Sequence, residues 1–149
     1  MYIREINQKT YRITNMQEWI ISANGKYFNH GGAFKRYGYI DWRQTRNFFV
    51  GDIIFIYMTK PEARIRYKTV VELNNMSSED ISDFREYWYK DYDDNRDYRY
   101  VRLKYLEEYN DPGLRFEILK EKGLRYAPQS PCKIKGTLRE YFKEKEIVE

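Results

Sequence analysis

Residues 50–58, which read Val-Gly-Asp-Ile-Ile-Phe-Ile-Tyr-Met, contain the clearest strand signal in the sequence. Gly51-Asp52 marks a turn, and the unbroken apolar run over 53–58 is typical of a strand buried on both faces. Lys60-Pro61 ends the run, because proline cannot donate a hydrogen bond to a sheet. The sequence therefore predicts a turn followed by a buried strand over 53–58.

Three further segments predict strands. The apolar run at 17–23 ends at the turn signal Asn24-Gly25, and Trp19 within it is predicted to be a core residue. Residues 63–71 and 98–106 alternate between apolar and polar positions, as strands with one buried face do. The predicted inner faces hold Ala63, Ile65, Tyr67 and Thr69 on the first, and Val101, Leu103 and Tyr105 on the second.

Helices are predicted between and after these strands. A single turn at 33–37 stops at a glycine, and the i, i+3, i+7 spacing of apolar residues predicts a short helix over 77–88. A third helix at 114–122 follows Asp111-Pro112, and a fourth runs from a capping box at Thr137 to about Lys145.

The order of these elements favours an α+β fold. The first three strands are spaced like hairpins, so we expect an antiparallel or mixed sheet, curled into a barrel with short helices at its ends. A length of 149 residues suits one core, and no linker or internal repeat divides the chain. The sequence therefore predicts one domain over 1–149.

The composition narrows the class of protein. Hydrophobic residues make up 42% and charged residues 34%, which excludes a disordered chain, and the net charge of +4 is compatible with a polyanionic partner. The 16 Tyr, 8 Phe and 3 Trp fit either a β-rich core or a surface on which bases stack.

Several kinds of site lack support in the sequence. Cys132 is the only cysteine and His30 the only histidine, they lie far apart, and no motif supports a Cys/His pair. No carboxylates show metal-ligand spacing, so neither a metal nor a cofactor is expected. The N-terminus does not resemble a signal peptide, and no apolar run approaches the length of a membrane span. We therefore expect a cytoplasmic protein without a membrane partner.

An ordered set of motifs resembles a known family. The set consists of Trp19-x-x-Ser22-x-Asn24, then Asp41-Trp42, then Gly51-Asp52-Ile53 with Ile56-Tyr57. Together these motifs resemble the EVE domain of the PUA-like superfamily, which is close in architecture to the YTH domain. The resemblance covers most of the chain and is strongest over 17–73.

This resemblance implies a fold and a function. The fold is a PUA-like pseudo-barrel flanked by short helices, with a pocket for one extruded base of DNA or RNA. Such domains are associated with recognition of modified bases, and in prokaryotes they often accompany restriction of modified DNA. The expected partners are therefore a nucleic acid with a modified base and, beyond it, restriction or RNA-processing proteins.

The same resemblance suggests site residues. Trp42 matches the aromatic wall of the pocket, on a loop, with Asp41 beside it, and Ser22 and Asn24 match polar groups at the rim. The second wall is left open among Trp88, Tyr27, Phe28 and Tyr57. Positive side chains around these positions are the candidates for phosphate contacts, namely Lys35, Arg36, Arg43, Arg46, Arg64 and Arg66, with Lys68 on the same strand face.

Two other classes of function remain open. Some PUA-like relatives of the ASCH type hydrolyse their substrates, and Lys26, Lys35, Asp41 and Tyr57 would be the residues for acid–base chemistry here. The second alternative is a subunit that binds a protein or a small molecule. A basic rim around an aromatic pocket favours nucleic acid, a buried Lys–Asp pair favours the hydrolase, and a flat apolar patch favours the subunit. The sequence itself favours a binding module over an enzyme.

Overall fold

The computed structural model describes residues 16–90 and 98–149, and the backbone of two strands before them. The strands are β1 (Ile3–Ile6), β2 (Lys9–Arg12), β3 (Glu18–Ala23), β4 (Tyr39–Arg43), β5 (Ile53–Met58), β6 (Arg64–Met76), β7 (Tyr100–Glu108) and β8 (Cys132–Lys133). The α-helices are α1 (His30–Tyr37), α2 (Phe116–Glu121) and α3 (Gly136–Glu144), and short 3₁₀ turns lie at Arg85–Tyr87 and Pro112–Leu114.

Six of these strands form one mixed sheet in the order β4-β7-β6-β5-β3-β8, while β1 and β2 form a separate hairpin. β3 and β5 run parallel, and the other described pairs in the sheet are antiparallel. The predicted segments at 17–23, 53–58, 63–71 and 98–106 therefore belong to a single sheet, and the predicted α+β class is confirmed.

The sheet curls without closing. β4 forms one end of the strand order and β3 lies one strand from the other end, yet Ile21 of β3 and Trp42 of β4 line the same cavity. Irregular register between β6 and β7 contributes to the curl, because bulges increase the twist of a strand. The predicted barrel is thus open between β4 and the edge formed by β3 and the short β8, and we call this opening the seam.

Two hydrophobic clusters lie on the two faces of the sheet. One contains Trp19, Ile21, Ile54 and Ile56 with residues of α1, β4 and β7, and the other contains Ile20, Phe55 and Tyr57 with residues of α2 and α3. β3 and β5 alternate between the clusters, which is why both read as unbroken apolar runs in the sequence. Trp19 is 7% exposed, so its predicted core position is confirmed.

The predicted helix over 77–88 is wrong. This segment contains only the 3₁₀ turn at Arg85–Tyr87, because its backbone groups bond to other parts of the chain. The amide of Ser82 donates to the Asp41 carboxylate, the amide of Asn29 donates to the Tyr87 carbonyl, and the amide of Tyr89 donates to the Tyr27 carbonyl. These bonds replace the i to i−4 pattern that a helix needs.

Other elements differ from expectation in smaller ways. Residues 39–43, predicted as part of a loop, form β4 and pair with β7 over their whole length. α1 begins earlier than predicted, at His30, where the Asn29 side chain accepts a hydrogen bond from the amide of Gly32. α3 is present, but no side chain caps it, so the predicted capping box at Thr137 is wrong.

Candidate functional site

The cavity at the seam has a volume of about 230 Å³. This is smaller than the pockets that bind drug-sized ligands, so it suits a group no larger than one base. β3, β4 with the loop after it, and β7 supply one part of the lining, and the segment before β8, which we call the far wall, supplies the rest. Its lining consists of Ile21, Ser22, Trp42, Arg43, Thr45, Phe48, Val101, Gln129, Ser130 and Pro131, with no acidic side chain among these described residues.

Trp42 is half-buried on β4, with one part of its ring in this seam pocket and the rest against the core. Its ring lies parallel to Trp88, with 5.7 Å between the centroids and 8° between the planes, and edge-on to Phe28 at 5.2 Å. A base held between two rings needs about 7 Å, twice the contact distance of about 3.5 Å. Trp88 therefore supports Trp42 in this conformation, and a base between them requires Trp88 to move.

Ser22 and Asn24 have different surroundings. The Ser22 hydroxyl donates a hydrogen bond to the Pro128 carbonyl, which ties β3 to the segment that forms the far wall of the pocket. Asn24 lies just beyond the end of β3, where its side-chain oxygen accepts from the amide of Lys26 at 2.9 Å. Asn24 stabilises a turn and is not among the described residues that line the pocket.

Arg43 is the cation among the described residues that line the seam pocket, and we call it, together with the neighbouring Arg46 and Arg99, the rim. The Arg43 guanidinium lies 3.4 Å from the centroid of the Tyr98 ring, a cation–π contact that holds its plane in place. Arg46 is exposed, and among the described residues its side chain donates to the Thr45 carbonyl alone, at 3.0 Å. Arg99, which sequence reasoning missed, donates to the side chains of Asn47 and Asn75. These arginines make no ion pair within the described residues.

The positive side chains of β6 that were predicted to bind phosphates contact other residues of the chain. Arg66 contacts Glu108 at 2.9 Å and Glu62 at 3.4 Å, and Arg64 contacts Glu62 at 3.2 Å. The Lys68 ammonium donates to the carbonyl of Ile147 at 2.7 Å. Lys35 and Arg36 are exposed on the last turn of α1. Among the described residues, Arg43 is the one predicted phosphate-binding residue that lines the pocket.

Three other predicted ligand residues lie outside the seam pocket. The Asp41 carboxylate is fully buried, accepts two bonds from Arg102 at 2.8 and 3.1 Å, and accepts the amide of Ser82 at 2.8 Å. Tyr57 lies in the cluster on the opposite face, where burial and the nearby Glu117 raise its pKa. Tyr27 is exposed, with the Lys90 ammonium 4.4 Å from its ring centroid.

His30 lies beneath Trp42, a placement for which the sequence offered no signal. The two rings are 5.0 Å apart, and the His30 side chain is almost completely buried. Burial lowers the pKa of His30 to about 4, the charge of Arg66 acts in the same direction, and the Phe28 backbone opposes them. His30 is therefore neutral at physiological pH.

The residues named for hydrolysis do not come together. Asp41 pairs with Arg102, Tyr57 lies across the sheet, and Lys26 and Lys35 are exposed. Among the described residues, no cluster of three or more His, Cys, Asp or Glu side chains could hold a metal ion. None of the helices in the described ranges is long and apolar enough to cross a membrane.

No protein-family model matches this sequence, and no curated protein matches it. Solved structures do resemble it. ASCH from Zymomonas mobilis aligns with a TM-score of 0.56 and 14% identity, over 86% of this chain and 94% of that one. A protein from Leishmania major aligns with a TM-score of 0.60 and 15% identity, over 91% of this chain and 98% of that one. Rpa0253 from Rhodopseudomonas palustris gives 0.59 and 13%, over 90% and 96%.

These comparisons show the fold. The mixed six-stranded sheet with three short helices matches the fold of ASCH from Zymomonas mobilis, which is PUA-like. The predicted PUA-like architecture is therefore confirmed, while the finer EVE resemblance stays a prediction. The same fold supports several functions, so the function has to be argued from the seam pocket.

Proposed function

We propose that this chain is a nucleic-acid-binding module that holds one extruded, modified base in the seam pocket. The observation that carries the proposal is Trp42, whose ring borders a base-sized cavity that Arg43 also lines. A basic rim around an aromatic pocket is the arrangement that distinguishes a nucleic-acid reader from the two alternatives.

Stacking supplies the first part of the binding energy. Removing a base from its stack costs a few kcal/mol, and contact with an aromatic ring returns about 1–3 kcal/mol. Trp88 and Phe28 hold the Trp42 ring from the core side, so little side-chain freedom is lost when a base binds. Trp42 is thus a prearranged stacking surface.

The rest of the lining suits the edge of a base and an added methyl group. Ser22, Gln129 and Ser130 offer hydrogen-bonding groups, whereas Ile21, Phe48 and Val101 offer apolar contact. Burying one methyl group contributes about 0.8 kcal/mol, so these apolar side chains would favour a methylated base over its unmodified form. Arg43 and Arg46 would bind the adjacent phosphates.

The test is a fluorescence-anisotropy titration with labelled single-stranded DNA and RNA of about ten nucleotides. The oligonucleotides carry a central cytosine, 5-methylcytosine, adenine or N6-methyladenine. We expect the chain to bind one methylated form most tightly. Trp42→Ala should weaken that binding by about ten- to a hundredfold, and Trp42→Phe by less, because a ring remains.

The matched control is Tyr105→Ala, which removes a partly exposed ring of β7 that does not line the seam pocket. It should bind as the unaltered chain does. Ser22→Ala should chiefly reduce discrimination between bases, since hydrogen bonds to a base edge carry selectivity. If Trp42→Ala keeps its fold and binds every oligonucleotide as tightly as the unaltered chain does, the proposal is refuted.

A further inference from the structure

A ridge of exposed residues continues outward from the far wall of the seam pocket. Gln129 lines the seam pocket and also two larger cavities that residues of the 125–130 segment border, and we call this segment the ridge. The hydrogen bond from Ser22 to Pro128 fixes the base of the ridge to β3. The pocket and the ridge therefore form one continuous surface.

The ridge presents an aromatic ring with little packing of its own. Tyr126 is 77% exposed, the most exposed of the large hydrophobic side chains that the structure describes. Within the described residues its hydroxyl makes no hydrogen bond and its ring makes no aromatic contact. A ring in this position adds little to folding stability, but it offers a flat surface on which a base can stack.

Two cations accompany this ring. Arg125 and Lys120 are exposed and line the same cavity as Tyr126, together with Phe116, Ala127 and Gln129. Neither side chain makes an ion pair or hydrogen bond within the described residues, and no carboxylate is among the described residues that line this cavity. Unpaired cations beside an exposed ring complement a phosphate next to a base.

We propose that the ridge is a second nucleotide subsite, at which Tyr126 stacks on the base adjacent to the extruded one. Arg125 and Lys120 each bind a phosphate on that side. The inference rests on the proposed function, because the ridge is defined by its continuity with the seam pocket. A neighbouring base can stack on Tyr126 only when it has left a duplex, so the preferred ligand is a single strand.

The experiment compares single-stranded and double-stranded forms of the methylated oligonucleotides described above, titrated with the complete chain. Tyr126→Ala should weaken single-strand binding about tenfold or more, whereas Tyr126→Phe should keep full affinity because it keeps the ring. Duplex binding should change little in either variant. Arg125→Ala and Lys120→Ala should each lower the slope of log K against log salt by about 0.7. Lys104→Ala, which removes an exposed charge from β7, should leave it unchanged.

The variants separate the two proposals. If Tyr126→Ala binds single strands as well as the unaltered chain while Trp42→Ala does not, the ridge proposal is overturned and the seam pocket stands. If Tyr126→Ala weakens binding and Trp42→Ala has no effect, the ridge contacts nucleic acid and the proposed function is overturned. If the unaltered chain binds none of the oligonucleotides, both are overturned. Since Tyr126 is exposed, neither substitution at this position should disturb the fold.

Discussion

Two tryptophans of this chain show how position decides the role of one residue type. Trp19 is buried in β3, with its ring edge-on to Phe48 at 5.1 Å, whereas Trp42 is half-buried and borders the seam pocket. The sequence distinguished them, because Trp19 lies in an apolar run and Trp42 lies among polar and basic residues. It could not show that Trp88 supports Trp42, since that contact joins distant parts of the chain.

This difference predicts unequal losses of stability. Trp19→Ala should lower the free energy of unfolding by about 3–5 kcal/mol, as removal of a core ring does. Trp42→Ala should lower it by less, because part of that ring already contacts solvent. Urea denaturation of both variants measures the two values. Equal losses would identify Trp42 as a core residue and remove the wall from the proposed pocket.

His30 makes stability depend on pH. Its pKa is lowered to about 4 in the folded chain, whereas a histidine of the unfolded chain has a pKa near 6.5. Between these two pH values, the unfolded chain therefore binds more protons than the folded chain. Stability should therefore be complete above about pH 6.5 and fall as the pH drops toward 4. When the pH is lowered from about 7 to about 4.5, the free energy of unfolding of the unaltered chain should fall by about 2 kcal/mol more than that of His30→Leu.

Urea denaturation at the two pH values gives this difference directly. The comparison with His30→Leu removes the effect of carboxylates that titrate in the same range, such as Asp111, whose pKa its hydrogen bond with Lys145 lowers. Equal losses in the two proteins would show that His30 is not held neutral in the core.

At the scale of elements, a strand could be predicted from the sequence when the contacts that stabilise it follow from its own residues. β5 forms as predicted, Ile53–Met58. Its unbroken apolar run indicates burial on both faces without reference to any other part of the chain. β4 was missed because Asp41 and Arg43 interrupt its pattern. The charge of Asp41 is compensated by Arg102, which comes from β7, so the local sequence could not indicate a buried strand.

The pair formed by Asp41 and Arg102 gives a prediction for β4. Asp41→Ala leaves Arg102, whose side chain is only 16% exposed, without its partner, and it also removes the acceptor of the Ser82 amide. Loss of one member of a buried pair costs about 3–5 kcal/mol, so we expect a loss of that size in urea denaturation. Asp83→Ala, which breaks an exposed pair with Arg85, is the control and should have no measurable effect. If Asp41→Ala abolishes binding without loss of stability, Asp41 is a ligand residue after all.

At the scale of the whole molecule, the net charge of +4 indicates less about where a nucleic acid would bind than the positions of the individual charges do. The basic face of β6 was as plausible a phosphate track as the rim of the seam pocket when only the sequence was known. The structure distinguishes the two, because Glu62 and Glu108 pair with Arg64 and Arg66 of β6, while Arg43 and Arg46 have no acidic partner among the described residues. Glu62 precedes β6 and Glu108 belongs to β7, and an alternating pattern within β6 cannot reveal either contact.

The salt dependence of binding tests this arrangement. Each phosphate contact on a single strand contributes about 0.7 to the slope of log K against log salt, so Arg43→Ala and Arg46→Ala should each lower the slope by about that amount. Arg66→Ala should leave the slope unchanged, because its charge is already paired inside the fold. Titrations of one oligonucleotide at several salt concentrations provide the slopes, and Lys143→Ala, an exposed charge on α3, is the control. If Arg66→Ala lowers the slope and the rim variants do not, the nucleic acid follows β6, and the base cannot lie in the seam pocket.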